Sequence, residues 1–108
     1  MLNAFSVDVE DYFHVEAFAS CVSPSDWDTY PCRVERNIDC ILEMLERHRT
    51  RATFFVLGWV AERHPRLVRQ IAAAGHEIGC HGYAHQRIHR QDPGGFRDDV
   101  RRARLCLM

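Results

Sequence analysis

Ala52-Thr53-Phe54-Phe55-Val56-Leu57-Gly58 is the stretch that decides the fold. It is apolar and β-rich without interruption. A strand that is half solvated alternates apolar with polar; this one does not, so it predicts a strand covered on both faces, as in a parallel sheet. Gly58 ends it. Upstream, Val34, Ile38, Ile41, Leu42 and Leu45 recur at helical spacing over residues 33–48, with charges on the other side. Downstream, Pro65 suits the first turn of a helix over 65–74, and Gly75 stops it. Residues 76–80 predict a third short strand and residues 4–9 a first one. Asp92-Pro93 reads as an N-cap and first helical position, followed by Phe96, Val100, Ala103 and Leu107 at helical spacing. Residues 17–32 are rich in Ser, Asp and Pro and read as a loop, long enough to suggest function or disorder. Strand and helix therefore alternate, which predicts an α/β fold with parallel strands joined by right-handed crossover helices.

The composition limits the partners. The 108 residues suffice for one domain at most, with 46% hydrophobic and 27% charged residues. A formal net charge of -1 gives no electrostatic reason for a nucleic-acid partner. No apolar run approaches the roughly 20 residues of a membrane span. Met1-Leu2-Asn3-Ala4-Phe5 lacks the basic and long apolar segments of a secretory signal, so a cytoplasmic location is expected. Cys21, Cys32, Cys40, Cys80 and Cys106 are an odd set without CxxC spacing, and they read as reduced thiols.

In parallel α/β folds, reactive groups gather at the carboxyl ends of the strands. Asp8, Glu10 and Asp11 follow the first strand; Gly58 and Trp59 follow the second; His81 and His85 follow the third. Two imidazoles four residues apart and a carboxylate from another strand are the ingredients of a metal site that activates water. Alternation along the strand puts Asp8 and Glu10 on one side and Asp11 on the other. That favours the first two as the working pair, although a bulge at the strand end would bring Asp11 in instead. Trp27, Tyr30, Trp59 and Tyr83 are candidates for a wall on which a sugar stacks, or else packing anchors.

Four segments together resemble a known family: Phe5-Ser6-Val7-Asp8-Val9-Glu10-Asp11, Arg51-Ala52-Thr53-Phe54-Phe55-Val56-Leu57-Gly58, Ala74-Gly75-His76-Glu77-Ile78-Gly79 and His81-Gly82-Tyr83-Ala84-His85. They are similar to the N-terminal part of the polysaccharide deacetylases with a NodB-homology domain, carbohydrate esterase family four. The Asp-Val-Glu-Asp form looks most like a subgroup found with exopolysaccharide gene clusters. The resemblance implies a distorted (β/α) barrel and metal-dependent hydrolysis of the acetamide of an N-acetylated polysaccharide or oligosaccharide. It implies Asp8 as general base, and Glu10, His81 and His85 as ligands of Zn²⁺ or another divalent metal. Gly82 departs from the pattern, because Ser or Thr is usual there.

The resemblance covers a partial domain, residues 1–108, with the family's later motifs unassigned. A backbone N–H near Tyr83 is expected to steady the oxyanion, but no group is assigned to protonate the leaving amine. Loss of a general acid costs roughly 10²–10⁴ in rate, so the isolated stretch is expected to be a poor enzyme. Two alternatives follow. One is a truncated non-catalytic remnant or split-enzyme half, prone to self-association or dependent on a missing C-terminal half. The other is a metal-free, allantoinase-like amide hydrolase.

Overall fold

The computed structural model describes residues 2–108. Three short strands, β1 (Ser6–Val9), β2 (Thr53–Val56) and β3 (Glu77–Cys80), form one parallel sheet in the order β1-β2-β3. The register sets Val7 beside Phe54 and Ile78, and Asp8 beside Phe55 and Gly79. Because side chains alternate, these two rows lie on opposite faces.

The Val7 face is the core. Val9, Phe54 and Val56 are fully buried there. Helix α1 (Val34–Arg47) contributes Val34, Ile38, Leu42 and Leu45, and helix α3 (Pro65–Ala73) contributes Leu67 and Ile71. Burying each such side chain is worth about 1.5–3 kcal/mol. Apolar periodicity predicted α1, and the Pro65 start with the Gly75 stop predicted α3; each helix has only this one apolar stripe to hide.

The opposite face corrects the expectation for β2. Phe55, on this face, is 37% exposed, so the strand is covered on one side only. Three strands with their crossover helices supply one covering layer, and nothing among the described residues supplies the second. Polar pairing replaces packing at the start of this face, where the Thr53 hydroxyl donates to Glu77 at 2.8 Å.

A second departure is helix α2 (Gly58–Arg63), which begins immediately after β2 and buries Gly58, Trp59, Val60 and Ala61. Gly58 starts this helix as well as ending the strand. The loop expected over 17–32 is ordered by 3-10 turns at Glu16–Phe18 and Pro24–Thr29, and a further turn at Tyr12–His14 precedes it. Helix α4 (Pro93–Leu107) is capped by Asp92, whose side chain accepts from the Gly95 N–H at 2.6 Å. All five cysteines are free thiols, and no helix among the described residues is long and apolar enough to cross a membrane.

Candidate metal centre

The site forms where β1 and β3 end. The His81 N–H donates to the Val56 carbonyl at 3.1 Å, which extends the ladder beyond β3 and keeps His81 on the face of Asp8 and Phe55. Gly82, at φ 72°, turns the chain, and His85 itself takes the left-handed conformation at φ 56°. Such a φ is uncommon for a residue with a Cβ, although His adopts it more readily than most. The turn brings both rings to Glu10. Glu10 Oε2 lies 3.0 Å from His81 Nε2 and 2.9 Å from His85 Nε2. The two rings meet edge-on with centroids 5.1 Å apart.

One donor atom from each of Glu10, His81 and His85 falls within 4.8 Å of the others. Bonds of the usual zinc length set tetrahedral ligand atoms about 3.3 Å apart. The Glu10 pairs at 2.9 and 3.0 Å thus need to spread by only a few tenths of an ångström. Two imidazoles and one carboxylate are the donor chemistry of a catalytic zinc site with an open position. Asp8 stands just outside, its Oδ2 3.8 Å from His81 Nε2, with a side chain 57% exposed against 15% for Glu10.

The electrostatics suit a charged Glu10. Burial pushes its carboxyl up, but the His81 hydrogen bond and the charges of His85 and His81 outweigh it and hold the group below its ordinary value. The Glu10 hydrogen bond, with the Asp8 and Glu10 charges, raises His81 against the opposing effect of burial.

The other carboxylate candidate lies elsewhere. Asp11 is 3% exposed and spends both oxygens on backbone amides: Oδ1 accepts from Tyr12 N at 2.9 Å, while Oδ2 accepts from Arg33 N at 2.6 Å and Val34 N at 3.0 Å. It caps α1 and is not part of the cluster. His14 closes the same turn, its Nδ1 accepting from the Asp11 N–H at 2.8 Å. Burial pushes His14 down to about 4, so its ring is neutral near pH 7.

The aromatic wall is also corrected. Trp27, Trp59 and Tyr83 are only 5–8% exposed, so they offer no face to a sugar. Trp27 and Trp59 pack edge-on against each other and against the His14 ring, while Tyr30 stacks on Phe13. Tyr83 donates its hydroxyl to Glu62 and lies under the Arg102 guanidinium, 3.7 Å from the ring centroid. A long loop with few aliphatic side chains uses its aromatics as the core it otherwise lacks.

The Tyr83 N–H is not available to an oxyanion. It donates to Asp99 Oδ2 at 2.9 Å, and the Ala84 N–H donates to Asp99 Oδ1 at 3.2 Å. The carbonyls of the same loop are held by α2: Gly58 N donates to Gly82 O at 2.7 Å and Trp59 N to Tyr83 O at 3.1 Å. Sequence reading missed these supports; the available signal was a Gly-Trp pair directly after a strand.

Residues 26–108 match the family profile described as polysaccharide deacetylase. Over 60 residues the chain is 40% identical to the peptidoglycan-N-acetylglucosamine deacetylase of Bacillus cereus, a match covering 56% of this chain and 22% of that protein. It is 38% identical over 60 residues to the chitooligosaccharide deacetylase of a Bradyrhizobium species, covering 56% and 27% of the two. A crystal structure of a Mycobacterium smegmatis protein assigned as a polysaccharide deacetylase superposes with a TM-score of 0.76 at 30% identity, covering 96% of this chain and 37% of that one. The chain therefore spans between 22% and 37% of the length of these relatives. Its parallel strands and crossover helices are those of part of the distorted (β/α) barrel of NodB-type deacetylases. The matched residues include the His81–His85 segment, and profile and fold together show that the chain belongs to the polysaccharide deacetylase family, carbohydrate esterase family four.

Proposed function

We propose that these residues are the metal-binding half of a hydrolase that removes acetyl groups from an N-acetylated polysaccharide or oligosaccharide. The observation that carries the reading is the convergence of Glu10, His81 and His85 donor atoms within 4.8 Å. A divalent cation held there, zinc by donor type, supplies Lewis-acid polarisation of the amide carbonyl. Asp8 takes the proton of the attacking water. Its exposure and its place beside His81 leave it open to solvent while Glu10 is occupied with both rings. The names of the Bacillus cereus and Bradyrhizobium relatives support an acetylated amino sugar as substrate class, and the subgroup resemblance favours an exopolysaccharide among these.

The donor trio argues against the metal-free alternative, in which nothing requires two rings to share one carboxylate. The test is acetate release from N-acetylated oligosaccharides by protein carrying these residues, with and without chelator, together with zinc content. Zinc-dependent release that disappears in Glu10→Gln supports the reading, whereas release unaffected by chelation overturns it. A non-catalytic role for the isolated 108-residue stretch is the second reading, favoured by the bare Phe55 face.

A further inference from the structure

We propose that Asp99 is the positioning residue of the two-histidine loop, and that position 82 is glycine because the Asp99 carboxylate takes the place of a side chain there. The inference rests on the metal-site reading and deepens it. The segment from His81 to His85 must turn sharply enough to bring two rings to one carboxylate, and His85 does so in a left-handed conformation at φ 56°. A Cβ makes that conformation unfavourable, so the surroundings must hold it. The Gly82 and Tyr83 carbonyls are held by the first amides of α2. The Tyr83 and Ala84 amides are held by the two oxygens of Asp99, at 2.9 and 3.2 Å. An ionised acceptor makes such bonds stronger than a neutral one does.

The position of α4 makes this contact available. A Cβ on Gly58 would stand 2.8 Å from both the Ala103 Cα and the Tyr83 Cδ2, so the bare glycine admits α4 at close range. Ala103 is fully buried at that crossing. Asp99 precedes it by four residues, one turn along the same face, which delivers its carboxylate to the loop. At Gly82 a Cβ would meet Asp99 Oδ2 at 3.0 Å, in a backbone that already sits at φ 72°. A side chain at 82 would therefore press on this carboxylate and push it aside by a few tenths of an ångström, and here the brace comes from α4.

The test compares Asp99→Ala and Asp99→Asn with Ile71→Ala, a core truncation remote from the loop. Co²⁺ is the probe, its affinity read from visible absorption; amide hydrogen exchange reads the loop, and thermal unfolding reads stability. Asp99→Ala is expected to weaken Co²⁺ binding roughly 10–100-fold and to lose exchange protection at Tyr83 and Ala84. Asp99→Asn, with one acceptor oxygen, falls between. Ile71→Ala lowers the unfolding temperature and leaves Co²⁺ affinity unchanged. Wild-type affinity in Asp99→Ala, or an equal loss in Ile71→Ala, overturns the proposal. If the wild type takes up no Co²⁺, the metal-site reading fails separately, and retained protection at Tyr83 and Ala84 in Asp99→Ala then overturns the role of Asp99 itself.

Discussion

Gly58 lies against Ala103 so closely that a Cβ on the glycine would fall 2.8 Å from the Ala103 Cα, a distance real Cβ contacts do not show. The first residue of α2 thereby sets how near α4 can come. Gly58→Ala forces the two helices apart, and overpacking of this kind costs about 1–3 kcal/mol. Urea unfolding should show that loss. Because α4 carries Asp99, metal affinity should fall as well. A Gly58→Ala protein as stable as the wild type, with unchanged affinity, would mean that the crossing is looser than its geometry implies.

Asp11 and Glu10 are adjacent in sequence but separate in role. Asp11 satisfies the Tyr12, Arg33 and Val34 amides, so Asp11→Ala leaves buried donors unpaired at the start of α1. The expected loss of stability is about 1–3 kcal/mol, while Co²⁺ affinity, measured on the folded fraction, stays at the wild-type level. Glu10→Gln should do the reverse, abolishing metal binding with little loss of stability. Exchange of these two outcomes would make Asp11 the ligand.

The difference between these two carboxylates shows where sequence reasoning reached its limit. Strands, three of the four helices and the convergence of Glu10 with His81 and His85 were legible, because an apolar run, a Pro at a helix start and period-two alternation act locally. Asp99 was not: it follows Asp98 in a polar stretch of α4 and looks like any solvated acid, and only the Gly58–Ala103 approach gives it a partner. The same applies to Trp27 and Trp59. Loop aromatics look alike in sequence whether they face a ligand or each other, and the choice here depends on His14, which lies far from Trp59 along the chain. Helix α2 was hidden because its apolar residues Trp59, Val60 and Ala61 are too few to show a period and follow a glycine that reads as a breaker.

His14 gives the fold a pH dependence with a definite sign. Burial, the main cause, holds the folded ring down to about 4 from an ordinary value of 6.5, with His85 and Arg63 adding to the effect and Asp11 and Glu10 opposing it. As pH falls through this interval, the unfolded chain takes up a proton that the folded chain does not, so stability declines. The full effect is about 3 kcal/mol, complete near the lower value and absent above the upper one. Urea titrations at several pH values should show this slope in the wild type. His14→Gln should flatten it; an unchanged slope would assign the titration to another group.

The bare sheet face makes a prediction about the chain in solution. Phe55 lies over Gly79, whose Cβ, if it had one, would stand 2.5 Å from the ring, so Phe55 packs along its own sheet and leaves its outer side to water. With β1 and β3 both edge strands among the described residues, the stretch offers this exposed ring together with unpaired strand edges. The 108 residues expressed alone should self-associate as concentration rises. Phe55→Thr, which keeps a strand-forming residue and removes the ring, should shift the chain toward monomer. Sedimentation equilibrium reads both. A wild-type stretch that stays monomeric at high concentration would show that this face does not drive association.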